Sequence, residues 1–253
     1  MLSSIIMSEA YIVTGASKGL GRSICELLAE NGYVVIGLAR DSKELKSLGE
    51  HLKKYNDESR VLVCDMSNGY DVSEAGKQIV TNFSRIDGVI HNAGIIGPVG
   101  SMFTTATDEW NNTIMVNLLS IQHLTKILYP AMANSEHCRV TTISSGAAVN
   151  SLHSWSAYCA SKAGLDMWTR SLADEGARHG ISAVSVAPGI VDTGMQETIR
   201  STSKEDFPMV EKFIEFYNNG DLVAPEVVAN ALFELITKHN FEQSGKRFDV
   251  RDL

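Results

Sequence analysis

Tyr158-Cys-Ala-Ser-Lys162 places a phenol and an ammonium four residues apart. On a helix, positions i and i+4 share a face. An ammonium beside a phenol lowers the phenol's pKa from its free value near 10, which makes tyrosine a usable acid or base near neutral pH. Taken alone, such a pair is common on helix surfaces. Ser144-Ser145 lies upstream at the end of a β-branched run, Ser145 being thirteen residues before Tyr158, and Asn117 lies earlier still in a stretch that reads as a long helix. A second constellation, Thr14-Gly15-Ala16-Ser17-Lys18-Gly19-Leu20-Gly21, sits where a first strand gives way to a first helix. Its glycines let backbone approach a pyrophosphate, and the helix start offers unpaired N–H groups and positive partial charge. A third is Ala39-Arg40, at the end of the second apolar run. A carboxylate there would accept from a ribose 2′-hydroxyl. Arg40 can instead fork onto a 2′-phosphate, with Lys18 in the glycine loop nearby, and Asp41 reads as the cap of the next helix. Together these point to a phosphorylated dinucleotide, NADP(H).

The elements that must carry these groups follow from periodicity. Tyr11–Thr14, Tyr33–Leu38, Arg60–Cys64, Asp87–Ile90, Arg139–Ile143 and Ser182–Val186 are short apolar, β-branched runs. Helical stretches separate them; Leu20 to Asn31, for instance, has apolar residues at 20, 24, 27 and 28 and stops at Gly32. Near-continuous apolar strands alternating with helices predict an α/β Rossmann-type, doubly wound parallel sheet of about seven strands with helices on both faces. Residues 1–253 read as one domain, since no linker and no repeat divides them. The least regular stretch, from Gly194 to Gly220, follows a strand's carboxyl end and reads as a substrate lid at about 194–222 containing some helix. Pro225 to about His239 reads as a final helix and Lys246 to Val250 as a last strand.

Composition narrows the function. A chain of 253 residues buries about three-quarters of its unfolded surface and needs no staples. The net charge of −8 argues against a nucleic-acid partner, which requires a basic face. Four cysteines without a CxxC pair read as reduced thiols in a cytoplasmic protein. The seven histidines show no ligand spacing, so no metal is expected. Met1 to Met7 lacks the build of a signal peptide, and no apolar run reaches membrane-spanning length.

The combination resembles the classical short-chain dehydrogenase/reductase family over essentially the whole chain. The matching residues are Thr14 to Gly21, Asp65, Asn92-Ala93-Gly94, Asn117, Ser145, Tyr158, Lys162 and Pro188-Gly189. The resemblance implies that Asn117, Ser145, Tyr158 and Lys162 are catalytic, with Asn117 holding a water that relays protons to Lys162. It implies a cofactor site of Gly15, Ser17, Lys18, Gly19, Leu20, Gly21, Arg40, Asp65, Met66, Asn92, Ala93, Gly94, Tyr158, Lys162, Pro188, Gly189, Val191 and Thr193. Asp65 and Met66 would flank the adenine, and Val191 and Thr193 the nicotinamide carboxamide. It also implies a homodimer or homotetramer acting on a small carbonyl substrate. The helix Trp155 to Met167 and the tail Ser244 to Asp252 look like those of sepiapterin reductases, and Ala187 to Gln196 like benzil reductases. That branch makes Trp155 and Asp249 substrate candidates and a vicinal dicarbonyl the expected substrate. Two alternatives stand beside it: a non-catalytic dinucleotide sensor, and a reductase of carrier-bound acyl chains, which would want a basic docking patch.

Overall fold

The computed structural model describes residues 8–253; the reading of Met1 to Met7 lies outside them. Seven strands form one parallel sheet: β1 (Ala10–Thr14), β2 (Val34–Ala39), β3 (Arg60–Val63), β4 (Gly88–His91), β5 (Cys138–Ile143), β6 (Ile181–Ala187) and β7 (Arg247–Asp249). Their order is β3-β2-β1-β4-β5-β6-β7. The order reverses between β1 and β4, which pair in register through Ile12 and Val89. A doubly wound sheet opens its ligand crevice at such a switch point, outside the strand carboxyl ends.

The strands are apolar on both faces because each face is covered. Ile12, Ile36 and Val140 belong to one core layer with Leu124 and Leu128. Tyr11, Val13, Val35 and Val184 belong to the other, with Ile24, Leu28 and Leu232. The first layer is backed by α3 (Gly69–Asn82), α5 (Ser120–Met132) and α6 (Ser156–Gly176). The second is backed by α1 (Gly19–Glu30), α2 (Lys43–Leu52) and α9 (Pro225–Lys238). The expected doubly wound parallel sheet is therefore present, with strand ends displaced by a residue or two.

Three local expectations are corrected. Ser42, not Asp41, caps α2: its hydroxyl accepts from the Leu45 N–H at 3.1 Å, while Asp41 makes an exposed pair with Lys46. A short polar side chain at the N-cap reaches the third N–H of the helix, and Asp41 lies one residue too early. Asn117 does not sit in plain α-helix. It lies in a π-helical turn, Met115–Leu119, that joins α4 (Thr107–Ile114) to α5. The last strand is shorter than the Lys246–Val250 expected, and a 3₁₀ turn, Val250–Asp252, follows it. The segment read as a lid contains two helices, α7 (Gly194–Arg200) and α8 (Val210–Asn218). Phe207, between them, is fully buried in a small third cluster with Trp155, Ile199 and Val210.

Candidate active site

A cleft of about 1510 Å³ runs across the carboxyl ends of the strands. At one end β1 turns into α1. Gly15 has a φ of +67°, and a Cβ on Gly21 would collide with the Gly15 carbonyl and the Asn92 carboxamide. Glycine is required at the first by backbone conformation and at the second by close approach. Thr14 ties the turn to β4: its hydroxyl accepts from the Asn92 and Ala93 N–H groups, each at 3.0 Å, and the Asn92 side chain donates to the Thr14 carbonyl at 2.9 Å. No side chain caps the start of α1 and no acidic residue occupies its first turn. The helix end and the glycine turn thus offer N–H groups and partial positive charge to an anion. Ser17, Lys18, Leu20, Met66, Pro188, Gly189 and Val191 also line the cleft. Thr193 packs its side chain against Gly19.

Arg40 stands exposed at the end of β2, with no carboxylate at Ala39. Beside it Asp65 is held below the usual carboxylate range, first by the Ser67 N–H and then by the Ser67 hydroxyl, with Arg40 adding its field. The Lys18 ammonium lies 3.8 Å from where a Cβ on Gly194 would be, at the start of α7, and its field also reaches Glu44 in the first turn of α2, the helix that follows Arg40.

At the other end Tyr158 and Lys162 lie one turn apart on α6, 6% and 3% exposed. Lys162 Nζ lies 5.7 Å from the Tyr158 ring centre and donates to the Ile143 carbonyl at 2.7 Å. Ser145, at the exit of β5, accepts from the Ala147 N–H at 3.1 Å, and its hydroxyl bonds the Tyr158 phenol. The electrostatics differ from the sequence expectation. Burial pushes the phenol up to about 12, opposed by the Ser145 bond, and burial pushes Lys162 down to about 8, opposed by Asp166. Desolvation penalises both charged forms, and in these surroundings it outweighs the influence of the ammonium on the phenol.

Asn117 is fully buried and its carboxamide is already engaged. Oδ1 accepts from the Ile95 N–H at 2.9 Å; Nδ2 donates to the Ile95 carbonyl at 2.9 Å and to the Ser161 hydroxyl at 3.0 Å. Ser161 in turn donates to the Tyr158 carbonyl at 2.8 Å. The Asn117 side chain therefore ties the loop after β4 to α6. A π turn lengthens the helix by one residue and commonly marks such functional positions.

The substrate candidates divide. Trp155, just ahead of α6, is buried, edge-on to Tyr158 at 5.7 Å and stacked on Phe207 at 5.3 Å. Phe213 and Phe216 extend this wall along the cleft from α8. Asp249 reaches the cleft, but its carboxylate is clamped by Arg251 through two bonds of 2.7 and 2.6 Å, which holds it at about 2. Sequence reasoning missed Phe213 and Phe216, whose i,i+3 spacing in the irregular stretch was the available signal. It also missed Arg251, two residues beyond Asp249.

Glycine turn, reversed strand order and the Ser145, Tyr158 and Lys162 grouping together define a dinucleotide-dependent oxidoreductase scaffold. The short chain dehydrogenase family matches residues 9–204, and the chain belongs to that family. It is 34% identical to a benzil reductase ((S)-benzoin forming) of Bacillus subtilis (strain 168), over 97% of this chain and 99% of the relative. The structure of a short chain dehydrogenase/reductase, YIR035C, of Saccharomyces cerevisiae superposes with a TM-score of 0.88 at 30% identity, covering 97% of each chain. A short chain dehydrogenase of Escherichia coli CFT073 complexed with NADPH superposes with a TM-score of 0.82 at 25% identity, covering 96% of each. Among the described residues no group of His, Cys, Asp or Glu is arranged to hold a metal, and no helix is long and apolar enough to cross a membrane.

Proposed function

We propose that the chain is an NADP(H)-dependent carbonyl reductase whose preferred substrates are vicinal dicarbonyls, benzil-like or sepiapterin-like. The observation that carries this reading is the convergence of Ser145, Tyr158 and Lys162 beside an aromatic wall, in one cleft with an uncapped helix start and Arg40. The residues fit the cofactor. Gly15, Ser17, Gly19, Leu20 and Gly21 hold the pyrophosphate, and Arg40 takes the 2′-phosphate. Asp65 and Met66 flank the adenine, and Asn92, Ala93 and Gly94 support the ribose. Pro188, Gly189, Val191 and Thr193 hold the carboxamide end. Lys18, near Gly194, reaches the phosphates. A 25%-identical relative with NADPH bound supports the choice of cofactor.

The nicotinamide, when bound, supplies the hydride. Tyr158 donates its proton to the oxygen that becomes the alcohol; a phenol held protonated by burial suits the reducing direction. Ser145 donates to the same oxygen and fixes its position. Lys162 offsets the phenolate charge as the proton leaves. Asn117 positions the Ile95 loop against α6.

Trp155, Phe213 and Phe216 give the carbonyl an aromatic neighbour. Asp249 would anchor a pterin only by giving up Arg251, so the benzil-like substrate has the stronger support, in keeping with the Bacillus relative. We place the enzyme in the cytoplasm, where its four free thiols stay reduced, and expect a homodimer or homotetramer, as the family resemblance implies. The lid at about 194–222 covers the substrate end. The test is steady-state NADPH oxidation against benzil, sepiapterin, a simple aliphatic ketone and a 3-oxoacyl carrier thioester. Dicarbonyls should lead by at least about tenfold, a difference of about 1.4 kcal/mol in transition-state binding. No turnover of any carbonyl would leave a dinucleotide sensor, and preference for the thioester would leave the carrier-dependent reductase.

A further inference from the structure

The face of α6 that bears Tyr158 and Lys162 continues one turn further to Asp166. Asp166 is 7% exposed, and its Oδ2 accepts from Arg247 Nε at 3.0 Å. Arg247 comes from β7, at the far edge of the sheet. Its Nη2 donates to the backbone carbonyl of Ser145 at 3.0 Å. One guanidinium therefore joins the tail, the catalytic helix and the loop that presents the Ser145 hydroxyl. The side chains of the pair are 19% and 9% exposed, and Asp166 Oδ1 is buried without a hydrogen-bond partner. A buried ion pair with an unsatisfied oxygen is a poor source of stability; well-packed apolar residues would fasten the tail at less cost.

We propose that Arg247 and Asp166 are a positioning pair for the reaction: Arg247 holds Ser145 by its backbone, and the Asp166 carboxylate one turn beyond Lys162 favours its ammonium form. The catalytic half rests on the reduction proposed above; the half that concerns Lys162 does not. The groups around Lys162 allow this assignment. Its own helix supplies Tyr158 and Asp166, and β7 supplies Arg247. β5 contributes the Ile143 carbonyl, and the π turn and the loop after β4 contribute Asn117 and Gly94, none of which titrates. Among the described residues Asp166 is the single carboxylate that opposes the burial of Lys162.

The test uses the full chain without cofactor, with carbon-13-labelled lysine and NMR detection of the side-chain titration. The Lys162 signal is assigned by its loss in Lys162→Met. Asp166→Asn should lower the Lys162 midpoint by about one pH unit, the low end of what removing a nearby opposite charge in a buried site produces. Arg247→Met removes a cation and leaves the carboxylate, and should raise it. Arg247→Lys keeps the charge but cannot form the fork. It should leave the midpoint in place while lowering kcat with benzil by about tenfold or more, because Ser145 is no longer held. With NADPH present, the alkaline limb of kcat/KM should move with the midpoint in each variant. Opposite shifts from two halves of one ion pair cannot come from loosened structure, which would move both the same way. If Arg247→Met does not fold, Asp166→Asn and Arg247→Lys carry the test. An unmoved midpoint in Asp166→Asn, or shifts of one sign in both neutralising variants, would overturn the proposal. Shifts as expected in a protein that turns over no carbonyl would support the role at Lys162 and count against the reductase instead.

Discussion

Replacing Asn117 by alanine tests whether the π turn carries the architecture of the site. The change removes three hydrogen bonds at once: two to the main chain of Ile95 and one to Ser161. Ser161 keeps its bond to the Tyr158 carbonyl and loses little. The Ile95 N–H and carbonyl lose their partner, and each buried group so stranded costs about 1–3 kcal/mol. Ile95 is partly exposed, so water recovers some of that, and the sum falls at about 2–4 kcal/mol. For a chain of this length about 2–4 °C of melting temperature follows each kcal/mol, which gives a drop of about 5–12 °C. Activity should fall further than stability alone requires. Ala93, Gly94 and Ile95 form the loop beneath Lys162, and without the carboxamide the hydrogen bonds that join Ile95 through Asn117 to Ser161 of α6 are lost. The assay pairs calorimetric unfolding with kcat measured well below the new midpoint. A variant that melts within about 1 °C of wild type and turns over normally would refute the reasoning, because the three short bonds would then be worth nothing.

Tyr158→Phe should remove turnover by about 10²–10⁴-fold while NADPH binding, followed by fluorescence, stays nearly intact; more than a tenth of the wild-type rate would take Tyr158 out of its role. Arg40→Ala should weaken NADPH by about tenfold or more and spare NADH, in line with the loss of one charge-assisted bond to the 2′-phosphate; equal use of both cofactors by wild type would contradict this. Acid stability has a defined window. Burial holds His91 down to about 3 and His239 down to about 4, against 6.5 when free. The unfolded chain therefore binds protons that the folded one refuses. Stability should fall as pH drops below about 6.5, by up to about 1.4 kcal/mol per pH unit per histidine, through about 4 for both and about 3 for His91 alone. Urea midpoints at a series of pH values should show it, and His239→Gln should flatten the slope. Asp249→Asn should free Arg251 and raise the Michaelis constant for sepiapterin more than for benzil; equal effects would leave the carboxylate as a structural clamp.

What the sequence makes legible follows how local the physics is. Strands between two covered faces must be apolar throughout, and Ile12 beside Tyr11 and Val13 satisfies two core layers in one run. The Gly15-to-Gly21 turn is legible for a similar reason, since the steric demands at Gly15 and Gly21 are met within one strand–helix junction and its neighbour Asn92. Side-chain roles are less local. Tyr158 and Lys162 can be paired by spacing alone, but spacing carries no measure of desolvation, and burial decides both of their proton affinities. A π turn leaves no periodic trace, so Asn117 reads as ordinary helix until its three partners are in view. The Trp155, Phe207 and Phe213 stack joins residues some fifty positions apart through a segment with no regular pattern. Asp166 lies between these cases. Its place on the catalytic stripe is visible as the third member of an i, i+4, i+8 series. Its partner is fixed only when β7 completes the edge of the sheet and brings Arg247 across to Ser145. On the proposal above, the last strand reaches Ser145 through the Arg247 guanidinium, and that link would make the tail part of the active site rather than a closing edge.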